Sequence, residues 1–235
     1  MLTIEKTVLP SPLQWEIIIE GMRNPWNSWE LSDSEICLNS DGWEECHNGL
    51  GGVCHRGDAI KSDYFCMGKN DHKLMMQLAK GGSVHAKYRR MIPVFVTITA
   101  PLYWWKELDV YKVGVVSNAC STMHKIHAKD FTRDDFSTEH LVGYSFLALD
   151  HVIDVLNLER RQFVATGNKV CWWQLIQLLP SSYNQKRTIM LNYEVLANIY
   201  HSRKGHKLDE WRTFCEWIEG LPYSELITGG GDNGE

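Results

Sequence analysis

Three basic side chains that lie close together in the sequence, His85, Arg89 and Arg90, form a first group that could do chemistry. The residues before them predict the end of a helix, and the residues after them predict a buried strand. An imidazole and two guanidinium groups in such a connection can hold an anion, because each donates charge-assisted hydrogen bonds. The alternative, which the composition alone favours, is a basic turn covered by solvent.

A second group is the segment from Ser117 to His124, which is small, polar and without periodicity. Such a segment can supply hydroxyl and amide groups to a ligand, although ordinary turns have the same composition. Within it, Cys120 could act as a nucleophile only if a neighbouring positive charge stabilises its thiolate, and Lys125 follows closely. A packed, unreactive thiol is the simpler interpretation.

Cysteine and histidine also occur together in Cys46-His47 and Cys54-His55, within a stretch rich in Gly, Asn, Asp and Ser. Structural zinc sites need thiolates and imidazoles at a spacing that lets them converge tetrahedrally. This spacing has no Cys-x-x-Cys pair, so the sequence predicts no metal site. The nearby glycines at 49, 51 and 52 have no predicted strand before them and no helix after them, which argues against a P-loop or dinucleotide motif.

Several periodic segments would position these groups. Short strands are predicted at 2–9, 14–21 and 93–99, and the last is β-branched and closed by Ala100-Pro101. Residues 103–105 could begin a helix or extend that strand. Apolar residues recur at helical spacing in four later segments, 145–165, 170–179, 191–199 and 208–218, and an earlier helix is predicted at 73–80 with Asn70 or Asp71 as its cap and Gly81-Gly82 at its end.

The chain has 235 residues, of which 44% are apolar and 23% are charged, with a formal net charge of −5. This composition predicts one soluble α+β domain with helices in excess over residues 1–228, followed by a disordered glycine-rich tail at 229–235. The sequence has no long basic block, which argues against duplex nucleic acid as a partner. It has neither a long apolar run nor a signal-like N-terminus, so we expect a cytoplasmic protein.

The candidate residues follow one another in a recognisable order. His85 precedes the predicted strand and Ala100-Pro101, and Asn118 and Ser121 come after it. The later part of this order consists of Leu179-Pro180, Leu191-Asn192, Arg203, His206 and Trp211. Over about residues 85–220 this ordered set resembles the flavin-dependent thymidylate synthases, the ThyX family.

The resemblance implies a ThyX-like α+β fold, with a central sheet, in a homotetramer whose active sites lie between subunits. It implies FAD as cofactor, dUMP as substrate, and NADPH and methylenetetrahydrofolate as co-reactants for one-carbon transfer to C5 of the uracil. By position, His85, Lys112 and Asn192 would contact the flavin. The positions that would contact the nucleotide are Lys106, Glu107, Asn118, Ser121 and Arg203, with Arg203 on the phosphate.

The sequence departs from the family pattern at several of these positions. Lys106-Glu107 stands where the family has Arg-Gln. Where the family has Arg-His-Arg, this sequence has Tyr111-Lys112-Val113, or Val110-Tyr111-Lys112 if the extra residue lies later in the chain. Ala119, Met123 and His124 replace the signature Glu, Arg and Tyr. Two hypotheses follow. The protein is a flavin-dependent enzyme that modifies dUMP or a related pyrimidine nucleotide, or it is an inactive nucleotide-binding protein on the same fold, such as a viral or prophage protein that sequesters a nucleotide signal.

Overall fold

A four-stranded antiparallel sheet forms the centre of the molecule, which we describe from a computed structural model over residues 1–37 and 64–229. Helices outnumber strands in these ranges. The strands are β1 (Thr3–Val8), β2 (Glu35–Cys37), β3 (Tyr64–Cys66), β4 (Pro93–Pro101), β5 (Val116–Ala119) and β6 (Asn184–Asn192). The helices are α1 (Pro12–Arg23), α2 (Lys69–Lys80), α3 (Leu102–Leu108), α4 (Tyr144–Thr166), α5 (Lys169–Leu178), α6 (Tyr193–Arg203), α7 (Asp209–Glu219) and α8 (Glu225–Thr228). The fold is therefore α+β with helices in excess, as predicted.

The strand order in the sheet is β1-β4-β6-β5. β4 and β6 pair along their whole length, from Pro93 opposite Asn192 to Pro101 opposite Asn184. On the inner face of β4 every second side chain is buried, from Val94 to Ala100, as expected for a sheet with one face on the core. β2 and β3 form a separate antiparallel pair.

The main core combines aliphatic side chains with several large aromatic residues. Trp104 and Trp105 of α3 are fully buried, and Trp104 packs against Trp211 and Phe214 of α7 with ring centroids 5.0 and 5.5 Å apart. Side chains of this size bury a large apolar area, so α3 and α7 are held firmly together. A second, smaller apolar cluster joins α4 and α5 through Leu149, Ile153, Leu156 and Leu175, with Phe131 and Phe136 packed beside them.

The prediction of a strand at 14–21 was wrong, because this segment lies within the helix α1. Ser11 caps the helix in a capping box with Gln14, and Pro12 occupies its first turn, where a missing N–H costs nothing. Trp15, Ile18, Ile19 and Met22 then line one buried face. The alternation of apolar and acidic residues suggested a strand, but the helical spacing of these four residues determines the structure.

The sequence pattern also missed four strands, namely the short pair β2 and β3 and the sheet strands β5 and β6, and it misplaced a helix start. Residue 191 was predicted to begin a helix, but it lies in β6, and α6 begins at Tyr193. β6 is polar in composition and only Gln185, Ile189 and Leu191 are buried, so its alternation is weak in sequence. β5 has four exposed residues and carries no apolar pattern at all. Both strands are specified by pairing with a neighbour, which a local pattern cannot reveal.

The other predicted elements at 2–9, 73–80, 93–99, 145–165, 170–179 and 208–218 correspond to β1, α2, β4, α4, α5 and α7. Neither Asn70 nor Asp71 caps α2, because Gly68 is the N-cap residue. No helix in the described ranges, not even the 23-residue α4, is apolar enough over sufficient length to cross a bilayer. The Cys-His pairs at 46–47 and 54–55 and tail residues 230–235 lie outside the described residues.

A buried ion pair ties α1 to α2. Asp71 is fully buried, and its Oδ1 accepts a hydrogen bond from Arg23 Nε at 2.5 Å. Its Oδ2 accepts from the hydroxyls of Ser32 and Ser34 and from the backbone N–H groups of Asp33 and Ser34. Burial opposes the charge, but the hydrogen bonds from Ser34, Ser32 and Arg23 outweigh it, so the pKa of Asp71 lies below its ordinary value.

We predict that Asp71→Asn lowers the free energy of unfolding by about 3–5 kcal/mol, because it leaves the buried Arg23 guanidinium without its counter-charge. Urea unfolding near neutral pH measures the loss. Since the pKa of Asp71 is depressed in the folded state, this stabilisation is complete above the ordinary aspartate pKa of about 3.9 and disappears as the pH falls through the folded value.

The matched control is Asp150→Asn, which removes a carboxylate from an exposed pair with Arg133. It should cost far less, because solvent already screens that pair. Equal losses in the two variants would contradict the assignment of Asp71 as a buried structural anion.

Candidate functional site

Helix α6 connects the two ends of the candidate site. Asn192 lies at its N-terminus and Arg203 is its last residue. Eleven residues at about 1.5 Å per residue place these ends roughly 16 Å apart. The sheet determines where α6 begins, because Tyr193 N donates to Ile92 O at 3.2 Å directly before β4.

At the C-terminal end of α6, Arg203 forms an ion pair with Glu107. Arg203 Nη1 donates to Glu107 Oε2 at 2.8 Å, and Arg203 Nε donates to the Tyr111 hydroxyl at 3.0 Å. The guanidinium lies over the ring of Trp211 at 4.8 Å from its centroid. A planar cation that has both a carboxylate partner and an aromatic face is held in one orientation.

The carboxylate of Glu107 has further partners on the same oxygen. Trp211 Nε1 donates to Oε2 at 2.8 Å, and His206 Nε2 lies 3.6 Å from it. The side chain of Glu107 is 33% exposed and that of Arg203 is 19% exposed, so the pair is partly accessible to water. We call Glu107, Tyr111, Arg203, His206 and Trp211 the Arg203 cluster.

At the N-terminal end of α6, Asn192 caps the helix. Its Oδ1 accepts from Val195 N at 3.0 Å, which satisfies one of the free N–H groups of the first turn. Its Nδ2 group donates to no acceptor in the described part of the chain and stays available to a ligand. Asn192, which the sequence predicts to contact the flavin, therefore caps α6 through Oδ1 and keeps Nδ2 as a free donor.

The loop between α3 and β5 runs along α6 and connects the two ends. Tyr111 contacts Arg203 at one end, and Gly114 lies against the first turn at the other. Gly114 has a φ of +80°, and a Cβ there would lie 3.1 Å from Asn192 Nδ2 and 3.1 Å from Val195 Cγ2. Lys112 stands between these two contacts, is exposed, and forms no ion pair within the described ranges.

Asn118 and Ser121 lie at the edge of the sheet. Asn118 is in β5, opposite Thr188 of β6, and its side chain is exposed. Ser121 Oγ accepts from His124 N at 2.8 Å and from Met123 N at 3.3 Å, which closes the turn after β5. Its own O–H remains a donor. Asn118 and Ser121 are therefore accessible, as a ligand contact requires.

The basic group at 85–90 separates on folding. His85 and Arg90 are exposed, whereas Arg89 is buried and its Nη1 lies 3.5 Å from Glu194 Oε2 in the first turn of α6. Arg89 Nε has no partner within the described ranges. The short 3₁₀ helix at 86–91 packs against α6, so His85 and Asn192 lie on neighbouring elements. No hydrogen bond in the described part of the chain joins His85 to another candidate residue.

Folding brings five predicted positions onto α6 and the segments beside it, namely Lys106, Glu107, Lys112, Asn192 and Arg203. Sequence reasoning did not give Tyr111, Gly114 or Trp211 a role in the site. The sequence could have indicated Tyr111 and Trp211, since each follows a candidate residue closely in the motif order. It could not have indicated Gly114, because a glycine by itself does not point to a site. Among the residues that the structure describes, no cluster of His, Cys, Asp or Glu could hold a metal ion.

The architecture is that of the flavin-dependent thymidylate synthases. A ThyX structure from Helicobacter pylori with FAD and dUMP superposes with a TM-score of 0.63 and 12% sequence identity, covering 97% of each chain. A second ThyX structure from that organism, also with FAD and dUMP, gives a TM-score of 0.58 and 14% identity over 97% of each chain. The resemblance stated from the sequence is thereby confirmed for the fold.

A further structure with this fold is the UMP/dUMP methylase PolB from Streptomyces cacaoi, bound to 5-Br dUMP. It matches with a TM-score of 0.54 and 11% identity, covering 94% of this chain and 88% of that one. The amino-acid sequence matches no protein-family model, and no curated protein is significantly similar to it. At such low identity the likeness establishes the fold alone, and any chemical function must be argued from the residues of the site.

We predict that Gly114→Ala destabilises the protein more than Gly82→Ala does. The two glycines have nearly the same φ, +80° and +82°, so an alanine costs about 1–2 kcal/mol at each for the left-handed backbone. Only the Cβ at position 114 also meets neighbours, which adds about 1 kcal/mol or more for overpacking against Asn192 and Val195. Thermal and urea unfolding of both variants measure the difference. Equal costs would mean that the loop does not lie against α6.

Proposed function

We propose that this protein is a flavin-dependent enzyme that modifies a pyrimidine nucleotide, by one-carbon transfer to dUMP or a related compound. The observation that carries the proposal is the placement of four candidate residues along one line of the structure: Asn192 and Arg203 at the two ends of α6, Glu107 of α3 against Arg203, and Lys112 in the loop between the two ends. The sequence alone indicates these positions, and the fold that holds them is similar to that of FAD- and dUMP-bound proteins and of a UMP/dUMP methylase.

Three side chains fit a flavin adenine dinucleotide. Lys112 is exposed and free of ion pairs within the described ranges, so its ammonium suits the pyrophosphate. Asn192 Nδ2 is a donor without an acceptor in the described part of the chain, and Gly114 lets the loop pack closely against it. His85, on the element next to α6, supplies a third polar contact. The flavin supplies the redox chemistry, and these residues bind and orient it.

The nucleotide contacts we propose are Lys106, Asn118 and Ser121 together with the Arg203 cluster. Lys106 is an exposed cation beside Glu107. Asn118 presents an exposed amide, and the Ser121 hydroxyl keeps its proton for donation.

We further propose a homotetramer with pockets at subunit contacts, and NADPH and methylenetetrahydrofolate as co-reactants. No residue is assigned a catalytic role, since each of these groups binds and positions a ligand.

One observation favours a second function, an inactive protein that binds and sequesters a nucleotide. Glu107 neutralises Arg203, the one cation expected on the nucleotide phosphate, and Ala119 and Met123 carry no charge where the family has Glu and Arg. A pocket can keep its shape after its reactive contacts are lost. This function predicts that a captured nucleotide is released unchanged.

The deciding experiment is a visible absorption spectrum of freshly purified protein, with mass spectrometry of what heat releases from it. The enzyme proposal predicts flavin absorption bands and released FAD. A colourless protein that releases a nucleotide and ignores added FAD would support sequestration instead. A colourless protein that releases nothing and takes up neither ligand would contradict both functions.

We predict that Asn192→Ala weakens FAD binding about tenfold, which corresponds to a lost hydrogen bond of about 1.4 kcal/mol. The matched control is Asn168→Ala, because Asn168 caps α5 in the same way, accepting from Val170 N. Both variants should lose about 1 kcal/mol of unfolding free energy with the helix cap. Flavin titration separates them. If FAD affinity is unchanged in both, Asn192 is only a cap.

A further inference from the structure

The Arg203 guanidinium is already occupied in the folded chain. Glu107 and Tyr111 take two of its donors, and the ring of Trp211 covers one face. The pair carries no net charge, and α6 fixes Arg203 while α3 fixes Glu107. An incoming phosphate would have to displace a carboxylate that is held in place, and it would then leave that carboxylate beside its own negative charge.

Glu107 is itself held independently of Arg203. Trp211 Nε1 donates to the same Oε2 atom, and Trp211 is fully buried in the aromatic core. Rotation of the carboxylate away from Arg203 would break this bond and leave a buried indole N–H without an acceptor. Glu107 is thus fixed by the core and is not a side chain that swings aside when an anion arrives.

The two oxygens of Glu107 have different surroundings. Oε2 accepts from Arg203 and Trp211 and faces His206, whereas Oε1 accepts no hydrogen bond from the residues that the structure describes. The side chain is one-third exposed, so a ligand can reach it. A carboxylate oxygen only accepts, and its natural partner is an N–H or O–H group, which a pyrimidine base or a sugar provides.

We propose that Glu107 determines how this site recognises a pyrimidine nucleotide by occupying the place of a phosphate on Arg203, so that Arg203 adds no affinity for the phosphate and Glu107 contacts the nucleoside part of the ligand. Oε1 of Glu107 accepts a hydrogen bond from an N–H or O–H group of that nucleoside. The inference rests on the proposed function, since it concerns the same site, and it replaces the expectation that Arg203 binds phosphate.

Isothermal calorimetry with deoxyuridine and dUMP, on the protein in the flavin state in which it is purified, tests the inference. The ratio of dUMP affinity to deoxyuridine affinity in the wild-type chain is the reference value. In Glu107→Gln, which keeps the size and the acceptor but frees the charge of Arg203, we expect the preference for dUMP to rise at least about tenfold. An unchanged ratio in Glu107→Gln would overturn the inference.

Asp109→Asn is the matched control, because it also removes one negative charge from an arginine pair of the same length. Asp109 Oδ1 lies 2.8 Å from Arg187 Nη1, as Glu107 lies 2.8 Å from Arg203. We expect its ratio of dUMP to deoxyuridine affinity to equal that of the wild type. A similar rise in this control would assign the effect to net charge and would overturn the role of Glu107.

If Glu107→Gln does not fold, the double variant Glu107→Gln with Arg203→Gln provides a second test, because its pair has no net charge, like the native pair. We expect its ratio of dUMP affinity to deoxyuridine affinity to equal that of the wild type. A fall in this ratio would show that Arg203 binds the phosphate and would overturn the inference. If flavin binds and neither pyrimidine does, this inference fails while the flavin part of the proposed function stands. If both pyrimidines bind, and the ratio of their affinities is the same in the wild type and in every variant, only the inference fails.

Discussion

The pairing of β4 with β6 is the constraint on which the rest of the structure depends. Nine residues of each strand lie opposite one another, and the ladder ends at Pro93 and Asn192. This end fixes the start of α6, because Tyr193 N bonds to Ile92 O immediately beyond the last pair. The position and direction of α6 then place Asn192 and Arg203 at its two ends, and β5 pairs on the outer side of β6.

Aromatic packing fixes α3 and α7 against the sheet and so positions the residues of the Arg203 cluster. Trp105 Nε1 donates to Gln185 O of β6, which anchors α3 to the sheet, and Trp104 packs between Trp105 and Trp211. Trp211 then provides both the ring beneath Arg203 and the N–H on Glu107. The charge pair at the surface is therefore an extension of the core, so its geometry resists change more than an exposed ion pair would.

Some candidate residues already have partners within the described part of the chain, and others do not. Arg203 and Glu107 satisfy each other, and Arg89, which could have held an anion, is buried beside Glu194. Lys106, Lys112 and Asn118 are exposed and unpaired within the described ranges. In the proposed site, ligand affinity should thus depend on these exposed polar groups, whereas the internal ion pairs maintain the fold. A carboxylate that is paired with an arginine lowers the affinity of that arginine for another anion, because the two negative charges repel each other.

The sequence by itself determined the α+β class, the long helices and the order of the candidate residues, because apolar periodicity and motif order are local or linear properties. It did not reveal β5 or β6, since both owe their conformation to a partner strand, and it suggested a strand where capping and helical spacing produce α1. The pairing of Glu107 with Arg203 was also invisible, because 96 residues separate them and both were independently assigned to a ligand. Only the tertiary structure decides whether two distant charges bind a ligand or each other, since that depends on the distance between them.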